Sequence, residues 1–396
     1  MKFNYSLPVN LILGRGRVSE IGNEVLKYGK KAIIVTGRNS TKKTGLLDKT
    51  VKLLSESGIE AIVFDKVEQN PLTTTAYEGA EIAKNEKCDV VIGLGGGSIM
   101  DAAKAIAFIT VNEGDVSDYI FGKMSSDKAL PIVLVPTTCG TGSEGNGFAV
   151  LTNPGNNDKK SLRCNAIVAK ASIIDPELMT TMPKHILASV GFDALCHNME
   201  SYISKNAQPL TTMMALQGIE LIGENLVKAY NNLEDMEAFE KITWASTLGG
   251  MVINTAGVTA PHGMEHPASG LKNIVHGRGL AALTPVIYEE SISSAPEKFA
   301  VISKLLGGND EKDCVVAIRN LLRELDLETT LGEQGIREED IDWMAENCLK
   351  VSAVSMKIHP KEFSLEDIKR HYGDEDNYAG SNHEGKICKN NSNLVS

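Results

Sequence analysis

The sequence predicts an α/β N-terminal half built on a parallel sheet, followed by an all-α C-terminal half. Three observations predict it. Short apolar runs alternate with amphipathic stretches through the first 138 residues, one of those runs ends in three consecutive glycines, and beyond residue 183 the remaining periodicity is helical. In order, residues 31–37 (KAIIVTG) read as a buried strand, 45–58 as a helix, 59–67 as a strand, 73–87 as a helix, 88–97 (CDVVIGLGGG) as a strand, 98–110 as a helix and 130–138 (LPIVLVPTT) as a strand. Helical patterns then cover 186–204, 210–231, 235–256, 278–291, 295–306, 311–325 and 338–350. The change of pattern places a domain boundary near Pro183, giving units 1–183 and 184–396.

Composition narrows the function classes. The chain has 396 residues, 42% hydrophobic and 23% charged, which suits a globular protein with sizeable cores. A net charge of −11 offers no basic surplus for phosphate backbones, so no nucleic-acid partner is expected. No apolar run reaches membrane-spanning length and the N-terminus has no long apolar segment, so neither a membrane partner nor a signal peptide is expected. Seven scattered cysteines without a CxxC pair read as reduced thiols, hence a cytoplasmic protein. The polar tail from about Gly373 is expected to be mobile.

The triple-glycine turn, GLGGGSIMDAAKA, follows a strand and opens a helix. Gly95, Gly96 and Gly97 allow close backbone approach, Ser98 can cap, and the free N–H groups of the helix start favour a phosphate. A second loop, PTTCGTGSEGNG, follows the 130–138 strand with hydroxyls from Thr137, Thr138, Thr141 and Ser143. Two such loops at strand ends of one sheet predict a dinucleotide-binding domain. The first strand ends VTGRNSTKK. Gly37 stands where a site for NAD usually carries an acid, and Arg38, Ser40, Lys42 and Lys43 offer charge and hydroxyls to a 2′-phosphate, which predicts NADP(H) over NAD(H).

The second half carries a different signal. Asp193 and His197 are four apart in a helical pattern, as are His262 and His266, and His276 lies ten further on. If helices bring these segments together, one carboxylate and two or three imidazoles make a donor set for Fe2+ or Zn2+. Cys196 points about 100° away from His197 on a helix and is left out. His185 is expected at a helix end, and His359, His371 and His383, in late polar sequence, are expected at the surface.

Taken together, GLGGGSIMDAAKAIA, VPTTCGTGSE, IIDPELMTTMP, GFDALCHNMESYIS and HGMEHPASGLKNIVHGRGLAALTP resemble the iron-containing (group III) alcohol dehydrogenases over roughly residues 3–371. The resemblance implies the dehydroquinate synthase-like fold of that family, with a divalent metal between a dinucleotide domain and a helical domain. It implies Asp193, His197, His262 and His276 as metal ligands and His266 as a histidine beside nicotinamide and substrate. It places Asn70, Gly96, Gly97, Ser98, Asp101, Thr137, Thr138, Thr141, Ser143 and Lys160 around the cofactor, and it implies a homodimer. Gly145–Asn146 stands where many members carry Val-Thr, which predicts a looser loop.

The expected activity is hydride transfer between a primary alcohol or its aldehyde and NADP(H) or NAD(H), with His266 as a proton relay titrating near working pH. Three other readings fit the sequence: a zinc-dependent polyol dehydrogenase, a metal-dependent lyase or cyclase like the dehydroquinate synthases, and a cofactor-binding protein without catalysis.

Overall fold

The computed structural model describes residues 3–373. The tail beyond Gly373, with His383 and Cys388, lies outside the described residues.

Six strands form one parallel sheet: β1 (Asn10–Leu13), β2 (Lys31–Gly37), β3 (Glu60–Val67), β4 (Val90–Gly95), β5 (Ile132–Pro136) and β8 (Ala171–Ile174), in the order β1-β8-β5-β4-β2-β3. Continuous Val/Ile runs make β2, β4 and β5 because helices cover both faces of the sheet. Leu46, Leu47 and Leu54 of the helix Leu46–Glu56 pack with Ile34 and Ile92 on one face. On the other, Ala76 and Ala80 of Thr73–Asn85 and Ala102, Ala103 and Ile106 of Gly97–Ile109 pack with Ile33 and Val91. From β2 the chain moves outward to β3, then returns to the opposite side of β2 with β4 and onward to β5. The order therefore reverses between β2 and β4, which is where a ligand crevice opens at the carboxyl ends of such a sheet. Gly37 and the Gly95–Gly97 turn sit at that point.

Three features were not legible in the alternating pattern. β1 and β8 are only four residues each, too short to show a period. A hairpin of β6 (Phe148–Thr152) and β7 (Lys159–Arg163) forms a separate two-stranded sheet, in a segment whose Asn, Gly and Lys content reads as loop.

From Lys184 to Gly373 every regular element is helical. The helix Lys184–Ile203 is central. It packs against Pro209–Asn231, Met236–Ala256 and His276–Ser291, and nearly all its residues from Leu187 on are buried. Such an element should be apolar all round, yet it carries Asp193, His197 and Glu200, which must be paired to be tolerated there. Met236–Ala256 starts at Asp235, whose side chain accepts from the Ala238 amide, and stops at Gly257, whose φ of 74° is in the left-handed region. The helix Ala260–Lys272 stops at Asn273, also left-handed at φ 52°. The next helix begins three residues later at His276.

No helix is long and apolar enough to cross a membrane among the described residues, and their six cysteines are free thiols. The expectation of surface histidines fails for two of the three. His359 and His371 are fully buried. The helix Leu365–Gly373 is amphipathic, and His371 shares its buried face with Ile368 and Tyr372, while charged residues cover the outside. His185 lies in the exposed first turn of Lys184–Ile203.

Candidate active site

Asp193 and His197 point together because they are one turn apart on a single helix. His262 arrives from Ala260–Lys272, which begins directly after the Gly257 turn, and His276 from the first turn of the helix that follows Asn273. Asp193 Oδ1 lies 3.6 Å from His197 Nε2, 3.3 Å from His262 Nε2 and 3.7 Å from His276 Nε2. Three imidazoles thus converge on one carboxylate oxygen.

Behind the ring stands a second layer of carboxylates. His262 Nδ1 lies 2.5 Å from Glu200 Oε1, and His276 Nδ1 bonds Glu265 Oε2. Glu200 also accepts from the Thr259 amide, and Glu265 from Ser269. An ionised carboxylate can only accept, so each Nδ1 must carry the hydrogen. In the neutral rings Nε2 is then a lone pair aimed at Asp193, itself an acceptor. Acceptor against acceptor at this distance needs a cation or a proton between them. Without a metal, His262 answers by holding a proton: burial would lower its pKa, but Glu200 and Asp193 outweigh it and carry it up to about 10. Burial holds His197 down, to about 4. Asp193 lies below the usual carboxylate range although burial opposes this, because the His197, His262 and His276 imidazoles prevail. The donors therefore fit a divalent metal such as iron. Glu265, His266 and His276 form a second close group. There Glu265 faces His276 through Nδ1, on the side of the ring away from Asp193, and so acts as a support.

His266 is not among the atoms around Asp193. Its ring is 6.3 Å from that of His262 and lies nearly parallel to His276 at 5.8 Å. Burial holds it well below its ordinary pKa, with Lys159 adding to the effect. That direction runs against the expectation that it titrates near working pH.

The same cleft is lined on the sheet side by Asn70, Gly97, Ser98, Asp101, Thr141 and Ser143. At Gly97 an added Cβ would lie 2.2 Å from Thr141 Cγ2, so only glycine lets the two loops meet. Gly96 faces Thr138 in the same way, more loosely. Thr137 and the segment after Gly37 lead elsewhere, into a second cavity lined by Ser40, Thr41, Thr44, Lys49 and Thr137. Lys42 is paired with Asp65 and does not line it.

Two expectations change, and Asp101 gains a role besides lining the cleft. Lys160 does not reach the cleft: it donates to the Val351 carbonyl. Alternation along β7 turns Lys159 inward instead, where Nζ donates to Asn70 Oδ1 at 3.0 Å and lies 3.6 Å from Glu265. Asp101 works as a brace: its oxygens accept from Ser143 Oγ (2.6 Å) and the Val150 amide (3.0 Å). The Gly145–Asn146 loop is not loose. Asn146 Oδ1 accepts from Lys104 Nζ at 3.0 Å and from the Phe148 amide at 3.0 Å. The Nζ of Lys104, fully buried, also lies within hydrogen-bond distance of Ser143 O, Ser143 Oγ and Phe148 O, so four acceptors share its three N–H donors.

Sequence reasoning thus missed Lys104, Lys159, Glu200 and Glu265. Glu265 stands between His262 and His266, and Glu200 one turn beyond His197, so spacing could have found both.

A parallel sheet with a glycine turn ready for phosphate, facing a buried carboxylate–imidazole donor set, defines a metal-dependent, dinucleotide-using dehydrogenase. The comparisons say which kind. Residues 8–176 match the family model of iron-containing alcohol dehydrogenase, and 187–374 match the C-terminal model of the same family. The chain belongs to the iron-containing alcohol dehydrogenase family and is an oxidoreductase of that type. It is 33% identical over 374 residues to an NAD-dependent methanol dehydrogenase of Bacillus methanolicus, covering 92% of this chain and 97% of that one. It is 32% identical to an NADPH-dependent butanol dehydrogenase of Clostridium saccharobutylicum, covering 92% and 96%. An archaeal halo-thermophilic alcohol dehydrogenase from a Red Sea brine pool superposes with a TM-score of 0.91 at 34% identity, covering 94% and 98%.

Proposed function

We propose that this chain interconverts a primary alcohol and its aldehyde with NADP(H) in preference to NAD(H), using Asp193, His197, His262 and His276 to hold iron. The convergence of three imidazole Nε2 atoms on Asp193 Oδ1, in the cleft that Gly97 and Ser98 line, carries this reading. When bound, iron supplies Lewis acidity for the substrate oxygen and the nicotinamide supplies or takes the hydride. The chain's own residues do the rest. Ser98 and the helix N-terminus at Gly97 receive phosphate. Lys159 and Asn70 fix the rim of the cleft through their mutual hydrogen bond. His266, neutral, accepts a proton at one ring nitrogen while releasing one from the other, and so relays it without storing charge.

The NADP(H) preference is supported by Gly37, where no acidic side chain opposes a 2′-phosphate, and by Ser40, Thr41 and Lys49 in the adjoining cavity. The boundary at Pro183, a homodimer and a cytoplasmic setting belong to the same proposal. The test is an anaerobic assay of the iron-loaded protein against short aldehydes. A higher kcat/KM with NADPH than with NADH is expected; equal or reversed values overturn the cofactor preference, and turnover of polyols alone overturns the substrate class.

A further inference from the structure

The β6–β7 hairpin turns one face to the cleft. Phe148 pairs with Arg163 and Val150 with Ser161 in its register, and all four line the cleft with the metal-binding histidines. Lys159, on the same face, is engaged by Asn70 and Glu265. Arg163 is different. Its guanidinium lies over the Phe148 ring, 4.4 Å from the centroid, and forms no ion pair with a described carboxylate. The acids of the cleft are already committed: Asp101 to Ser143 and Val150, Asp193 to the imidazoles, Glu265 to His276 and Ser269. Arg163 is exposed at the end of β7 while it lines the cleft, so its guanidinium is accessible to a ligand there. A guanidinium held over an aromatic ring can keep its N–H donors for an oxyanion, which it grips with two parallel hydrogen bonds.

The cleft that holds Arg163 and the donor set also has apolar lining. Phe148, Val150, Ile253 and Val258 form it. Val258 directly precedes Thr259, whose amide donates to Glu200 behind His262. Apolar lining and a guanidinium thus share one cleft with the site of chemistry.

We infer that the preferred substrate is an aldehyde or alcohol carrying an anionic group (carboxylate, sulfonate or phosphonate) beyond a short apolar spacer, and that Arg163 selects it. This rests on the reading of the cleft as an alcohol–aldehyde site. The cofactor's pyrophosphate offers the same oxyanion chemistry, and the experiment separates the two.

The iron-loaded wild type, Arg163→Met and Arg163→Lys are compared with 4-oxobutanoate, its methyl ester and butanal. Wild type should favour 4-oxobutanoate over the ester by about tenfold or more in kcat/KM, the scale of one charge-assisted contact. Arg163→Met should lose that preference through KM while turning over the ester and butanal as wild type does, which also shows that it folds. Arg163→Lys should restore part of it. Calorimetric titration of the iron-loaded, NADP+-bound protein with succinate should show binding that Arg163→Met abolishes. A wild type that favours the ester overturns the inference, and continued turnover of butanal leaves the alcohol dehydrogenase reading standing. A variant that raises KM for the cofactor, with the acid-to-ester ratio unchanged, assigns Arg163 to cofactor phosphate and also overturns it. Absence of turnover with every aldehyde removes both readings.

Discussion

The helical half buries two groups of histidines, and they do opposite things. Around Asp193, His197, His262 and His276 present Nε2 atoms to one shared oxygen, with Glu200 and Glu265 behind two of the rings. Some distance along the chain, His359 and His371 flank the Phe363 ring, at centroid distances of 5.5 and 5.0 Å. His359 Nε2 meets Ser291 Oγ at 2.8 Å, and His371 Nε2 lies 3.7 Å from Glu290, which Arg370 and Lys361 also bond. Burial holds His359 down, to about 3, so it is a neutral packing group. Burial of imidazoles is therefore not the mark of a site. The mark is where the unprotonated nitrogens point, and that is set by which carboxylates hold the protonated ones.

The contrast can be broken at four places. Asp193→Ala removes the shared oxygen. Bound iron should fall to background by metal analysis, and kcat/KM by about 10^3 or more, since several kcal/mol of polarisation is lost. Retained iron and turnover would refute the ligand set. Glu265→Gln keeps every ligand but loosens the His276 ring; iron affinity should fall about 10- to 100-fold, read by competition with a chelator. His359→Ala should leave iron content and kcat unchanged while lowering stability by about 2 kcal/mol in denaturant unfolding. A loss of metal there would erase the distinction between the two groups.

The smallest effect carries a pH signature. Hydrogen bonding to Arg370, with help from Lys361, holds the Glu290 carboxyl at about 2. Its folded pKa lies below its unfolded one. The stabilisation is therefore present above about 4.5 and is lost as pH falls towards 2. Glu290→Gln should cost about 1 kcal/mol at pH 7 after solvent screening, and the gap to wild type should close as the pH is lowered through that window. A gap that stays constant would show that packing, not charge, is what Glu290 contributes.

Local signals carried much of this molecule. The alternating runs located β2, β3, β4 and β5 with their helices to within two residues or so. The His262–His266 spacing and the glycine turn marked the two sides of the cleft. What escaped were elements whose sequence resembles loop, as in β6–β7, and residues whose role lies in a partner far along the chain. Lys104 reads as one polar residue on a helix; its acceptors on Ser143, Asn146 and Phe148 make it the peg of the cofactor-side loop. Lys159 and Lys160 are equivalent in composition, and only the register of β7 against β6 decides which faces inward.

Periodicity and turn chemistry act within a few residues, so the chain alone determined the parallel sheet, the helical half, the phosphate-ready turn and the helix that carries Asp193 with His197. Direction is a property of packed neighbours. Only the folded molecule decided that His262 and His276 meet that helix, that Glu200 and Glu265 turn their nitrogens inward, that His359 and His371 pack around Phe363, and that Arg163 lies over Phe148 with no carboxylate ion pair among the described residues. Each depends on contacts between segments tens to hundreds of residues apart, and no local pattern encodes such distances.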